Sequence, residues 1–121
     1  MEAIGYVRVV PSEDPSEALA HQKARIEAFC REQNYTLVKF YSETISAEIK
    51  LEHRIALLEA IESCAGGANL IVIRLDRLGS NKKVLSRILE ECEAKNVTII
   101  PVAGPKTLAE MPNTLEITNV Q

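Results

Sequence analysis

The segment Asn69–Arg74 (NLIVIR) constrains the fold of this chain more than any other feature. It is nearly all apolar at consecutive positions, too short to be a membrane span and without the alternation of a half-buried strand. A run of that kind fits a central parallel strand covered on both faces. Around it, strand-like and helix-like patterns alternate along the chain. Such alternation predicts right-handed crossovers and a parallel sheet flanked by helices, an α/β fold.

The first strand is Ala3–Val10 (AIGYVRVV), a run rich in β-branched residues that Pro11-Ser12-Glu13-Asp14-Pro15 interrupts. Asp14 suits an N-cap, Pro15 the first helical position, and Glu17 the carboxylate of a capping box. The helix that follows extends to about Gln33, with Leu19, Ile26, Phe29 and Cys30 on one face, and Asn34 breaks it. Thr36–Tyr41 reads as the second strand, and the polar, aperiodic Ser42–Lys50 as a mobile loop. Leu51, Ile55, Leu58 and Ile61 recur at helical spacing and mark a second helix, which Gly66-Gly67 ends. A third helix carries Val84, Leu85, Ile88, Leu89 and Cys92 on one stripe. Val97–Val102 is the fourth strand, and Pro101 within it points to a sheet edge. The expected sheet has four mainly parallel strands in the order 2-1-3-4.

These elements place one domain at residues 1–102. Residues 103–121 form a C-terminal tail with weak alternation at Leu115, Ile117 and Thr118, open to reading as an added strand, a partner-binding segment or disorder. Leu108, Met111, Leu115, Ile117 and Val120 could fold back over the helices. A second copy of the chain, as a two-fold dimer, or another protein is the preferred cover for the apolar stripes of the second and third helices.

Charge bears on partners. Fourteen basic residues against 17 acidic give a net charge of −3, a poor footprint for a free-standing nucleic-acid binder. Cys30, Cys64 and Cys92 share no spacing suited to zinc, so they read as small buried hydrophobes and no metal or cofactor is expected. Without a signal peptide or spanning segment, the expected setting is cytoplasmic, with no membrane partner.

Chemistry concentrates at two strand ends. Arg8 lies near the carboxyl end of the first strand, and Arg74, Asp76 and Arg77 follow the third. In an open α/β sheet that edge is where ligands bind. The third helix begins there with Ser80-Asn81-Lys82-Lys83, and two lysines in a first turn oppose the helix dipole. Helix N–H groups with Arg74, Arg77, Lys82 and Lys83 therefore make a candidate phosphate or acidic-group site, on which Arg8 converges if the first and third strands are neighbours. The alternative is a solvated basic turn with Asp76 paired locally. His21 and His53 read as exposed helix residues.

IGYVRV near the start, HQKARIEAFCREQNY along the first helix and IVIRLDRLGS after the third strand together resemble the serine recombinase family. The resemblance is to the catalytic domain of resolvases and invertases, and it is collinear over about residues 3–102. It implies a resolvase-type α/β fold, a serine nucleophile that attacks a DNA phosphodiester, and arginines that stabilise the phosphate. Tyr6, Arg8, Gln22, Arg54, Asp76 and Arg77 match positions of the family's site, and the resemblance implies an anion site of Arg8, Arg54 and Arg77 with Lys82 and Lys83 at its rim.

Two positions depart from that pattern. Val10 stands where the family has its serine, and valine has neither a lone pair to attack phosphorus nor a proton to release. Ser80 stands where the family has a further arginine, so one guanidinium is lost from the charge stabilisation of a phosphoryl transition state. Ser12 follows Pro11 and would reach the same phosphate only by coincidence. The resemblance also implies a long helix and a helix-turn-helix domain after this region, and nothing beyond Val102 has the periodicity for either. The leading functional reading is a catalytically inactive resolvase-like domain that works by binding or regulation, with DNA a weak partner. The alternatives are a DNA strand-exchange domain completed by a partner or by Ser12, and a module for small phosphates or other anions.

Overall fold

The computed structural model of the chain describes residues 1–12 and 14–111. Its elements are β1 (Glu2–Val9), α1 (Pro15–Gln33), β2 (Thr36–Thr44), α2 (Ile55–Ser63), β3 (Asn69–Val72), α3 (Lys82–Ala94) and β4 (Ile99–Pro101). The strands form one sheet in the order β2-β1-β3-β4, and every pairing is parallel. Pro101 lies on the edge strand β4, where its missing N–H disrupts no inner ladder.

Strand parity sorts the core into two faces. Ala3, Val7, Val9 and Ile71 pack against Ile26 and Cys30 of α1. Ile4, Tyr6, Leu70 and Val72 pack against Leu57, Ala60 and Ile61 of α2 and against Leu85, Ile88 and Cys92 of α3. The sheet therefore lies between one helix and two. All four residues of β3 are buried, as its apolar sequence requires.

Local chemistry sets the helix ends. The Asp14 carboxylate accepts the N–H groups of Ser16 (3.1 Å) and Glu17 (3.4 Å), satisfying two orphan donors of α1. Two helices end alike. Asn34 (φ 61°) and Asn96 (φ 58°) are left-handed, and the residue after each reaches back five positions. Tyr35 N donates to Cys30 O and Val97 N to Cys92 O, each at 2.8 Å, closing Schellman motifs after α1 and α3.

Two sequence expectations need correction. The stretch Ser42–Lys50 is not all loop, because β2 continues to Thr44 and Ile45 N still bonds Val9 O at 3.0 Å. The second helix does not run from Leu51. Leu51–His53 is a separate 3₁₀ turn, and Arg54 (φ −97°, ψ 79°) breaks the path before α2. That break resets the helical phase, leaving Ile55 61% exposed while Leu57, Ala60 and Ile61 go inward. The sheet buries Leu57, Ala60 and Ile61 of α2 and Leu85, Ile88 and Cys92 of α3, while Leu58, Val84 and Leu89 are only partly buried.

The chain beyond β4 takes part in this packing. Val102 N and Ala103 N continue the ladder to Val72 O (2.8 Å) and Ile73 O (3.1 Å). A 3₁₀ turn at Leu108–Glu110 then brings Leu108 and the buried Met111 onto the α2–α3 side of the core. Leu115, Ile117, Thr118 and Val120 lie outside the described residues. Among the described residues, no helix is long and apolar enough to cross a membrane.

Candidate functional site

The carboxyl ends of β1 and β3 open into a cleft of about 280 Å³, and the first half of α1 forms its opposite wall. Tyr6, Arg8 and Val10 come from β1 and its end, while Arg74 and Arg77 follow β3. His21, Gln22 and Arg25 come from α1. Val10 is 37% exposed, so its isopropyl group meets the cleft and solvent directly.

Two of the arginines are held by the fold itself. Arg8 donates from Nη1 to Ile45 O and from Nη2 to Arg77 O, both at 3.1 Å. It thereby ties the segment after β2 to the turn after β3. Arg74 makes a bidentate pair with Asp76, Nε to Oδ1 at 2.9 Å and Nη2 to Oδ2 at 2.8 Å. Those hydrogen bonds hold the Asp76 carboxyl below the ordinary carboxylate range, outweighing its partial burial. Gly104 (φ +80°) lies against the same guanidinium, and a Cβ there would come within 2.8 Å of Arg74 Cζ.

A buried polar cluster stands behind the cleft wall. Arg54, 0% exposed, donates from Nη2 to Tyr6 Oη at 2.8 Å and from Nη1 to the carbonyl of Leu78. Tyr6 in turn donates to Glu43 Oε2 at 2.7 Å. The Glu43 carboxylate also accepts Ala56 N (3.1 Å) and Leu57 N (3.3 Å), the first donors of α2. It lies 3.8 Å from Arg54 Nε, so the buried cation has a counter-charge. Burial raises the Tyr6 hydroxyl well above the ordinary tyrosine value, against the lowering effect of Arg54. The phenol therefore stays protonated near neutral pH, donating to Glu43.

The structure divides the residues singled out from sequence. Tyr6, Arg8, Gln22 and Arg77 line one cleft with Val10. Asp76 joins them through its pair with Arg74. Arg54 does not line the cleft, because its guanidinium is needed by Tyr6 and by the Leu78 carbonyl, so it is no open anion ligand there. Ser80, Lys82 and Lys83 lie outside the lining, and the Ser80 N–H bonds Ala47 O at 3.2 Å. Ser12 is exposed in the turn after β1 and His53 in the turn before α2.

Two residues of the site escaped the sequence reading. Arg25 follows His21 by four positions and so shares its helical face, a spacing that could have revealed it. Glu43 was hidden in an apparently aperiodic run, although the inward alternation of Tyr41 and Glu43 continues β2. Among the described residues, no group of three or more His, Cys, Asp or Glu side chains could hold a metal ion.

Comparison with known proteins completes the assignment. The family model described as Resolvase, N terminal domain, matches residues 3–118. The chain belongs to the resolvase family. Solved structures share the fold of this resolvase domain. The C-terminal catalytic domain of ISC1926 TnpA, an IS607-like serine recombinase, is 23% identical with a TM-score of 0.72, over 91% of this chain and 76% of that one. A resolvase family site-specific recombinase from Streptococcus pneumoniae is 23% identical with a TM-score of 0.69, over 99% and 83% of the two chains. The N-terminal catalytic domain of TP901-1 integrase is 16% identical at a TM-score of 0.69, over 84% and 77%. No curated protein sequence matches the chain.

Proposed function

We propose that this resolvase domain is catalytically inactive and works by binding, as a recognition or regulatory module. One observation carries the reading: the side chain at the mouth of the cleft, where the family's serine would stand, is the aliphatic Val10. Among the described residues no hydroxyl takes its place, since Tyr6 is buried and hydrogen-bonded to Glu43 and Ser12 lies outside the lining. Of the arginines at positions of the family's site, Arg8 instead bridges the carbonyls of Ile45 and Arg77, and Arg54 the carbonyl of Leu78 and the hydroxyl of Tyr6. In this proposal the cleft meets its ligand through Arg77, with Gln22 on the facing wall. The partner is a second copy of the chain or another protein, and DNA is a weaker ligand.

Incubation of the purified chain with supercoiled plasmid, followed by gel analysis and mass spectrometry, tests the reading. Neither nicking nor a protein–DNA ester is expected. A DNA phosphate linked to Ser12, or to any other side chain, overturns it.

A further inference from the structure

We propose that a second copy of this chain pairs antiparallel with the outer edge of β2, across a two-fold axis at Ser42, so that two sheets become one. The inference rests on the reading of the domain as a binder whose partner is a second copy, and it assigns that partner a surface away from the cleft. Among the described residues β2 has a neighbour on one side only, β1. At nine residues it is the longest strand of the sheet, and it holds no proline. The opposite edge is built differently. β4 has three residues, and because Val102 N bonds Val72 O, the alternating ladder turns Pro101, which lacks an N–H, outward. One edge is thus guarded against pairing, and the other is not.

The second copy is the occupant because the edge is complementary to itself. Ile45 N bonds Val9 O, so Ile45, Glu43, Tyr41 and Lys39 turn their peptide groups toward β1. Phe40, Ser42 and Thr44 turn theirs away, and Ser42 and Thr44 are exposed. A bulge skips Val38 in the pairing with β1 and breaks the alternation before Lys39, so the regular edge is centred on Ser42. In an antiparallel pair Ser42 then faces Ser42 of the second copy, and Phe40 faces Thr44. Every outward N–H meets an outward C=O. Any other register leaves at least one of the three residues without a partner among them. Charge agrees with this register. Lys39 lies diagonal to Glu43 of the second copy, about 7–8 Å away along the backbone and within reach of a long side chain. Each Glu43 keeps its own Arg54 at 3.8 Å, so the two carboxylates do not meet uncompensated. Lys23 and Lys39 are drawn over the rings of Phe40 (5.3 Å) and Tyr41 (5.4 Å), which pack on opposite faces of the sheet. Both cations therefore stand above the faces and out of the plane of the edge.

Light scattering and amide hydrogen exchange of the intact chain, from about 10 μM to about 1 mM, test the proposal. The mass should double within that range. At the upper end the amides of Phe40, Ser42 and Thr44 should exchange about tenfold or more slowly than in dilute solution. Those of Tyr41 and Glu43, already bonded to β1, should change far less. Ser42→Lys sets two cations opposite each other and should weaken the dimer about tenfold or more, with part of the loss regained at high salt. The position is exposed, so this variant should keep the parent's urea midpoint. Ser42→Pro removes an N–H that holds nothing within the chain, and it should give a folded monomer. A parent that stays monomeric at about 1 mM overturns the proposal. So does a dimer that leaves the three amides unprotected, or one that Ser42→Lys does not weaken. None of these outcomes bears on the plasmid experiment, which tests inactivity by itself.

Discussion

Tyr6 shows how a single hydroxyl can organise a buried charge. It donates to Glu43 and accepts from Arg54, so its loss leaves an acceptor and a donor unsatisfied at once. Tyr6→Phe should therefore destabilise the domain by about 1–3 kcal/mol. Arg54→Ala should cost more, about 3–5 kcal/mol, because Glu43 then loses its buried counter-charge. Urea unfolding checks both, read as a lower midpoint at unchanged slope. A Tyr6→Phe midpoint equal to the parent's would show that the cluster contributes nothing to stability. These arginines also mark the limit of what the sequence shows about the site. Arg8, Arg54 and Arg77 stand out by spacing, but spacing does not say which guanidinium meets solvent and which meets a carbonyl. Burial decides that, and burial depends on where Leu78 and Ile45 arrive in space.

Among the elements, those with strong periodicity or a clear stop signal were legible at once. α1 runs from the Pro15 of its capping sequence to the residue before Asn34, and β3 is the apolar run that the sequence displays. α2 was harder, because its N-terminus has no local side-chain cap and depends on Glu43 from a neighbouring strand. A cap supplied from another element leaves no local signature. The paired asparagine ends of α1 and α3 do leave one, and they make a prediction. Asn96→Ala forces a Cβ residue without a local polar contact into the left-handed region, at a cost of about 1–2 kcal/mol. Asn96→Gly should keep the parent's stability or exceed it. Thermal unfolding of the two variants distinguishes them, and an alanine variant as stable as glycine would mean that the motif does not set the end of α3.

For the molecule as a whole, the question is where its folded unit stops. The sequence pattern fades after Val102, yet Leu108 and Met111 pack onto the same core as α2 and α3. Met111→Ala should accordingly lower stability by about 2–5 kcal/mol, like other large-to-small changes at buried positions. An unchanged urea midpoint would place the segment after β4 outside the cooperative unit.

The strand order has a consequence in time. β1 lies inside the sheet, pairing with β2 on one side and with β3 on the other. Ala3 meets Leu37 across the first ladder but Asn69 across the second. During synthesis at about 5–20 residues per second, Asn69 emerges roughly 65 residues after Ala3, a delay of about 3–13 s. Through that interval the second edge of β1, with its apolar Ala3, Ile4 and Val7, has no native neighbour. An open edge of this kind is a template for pairing with other nascent chains.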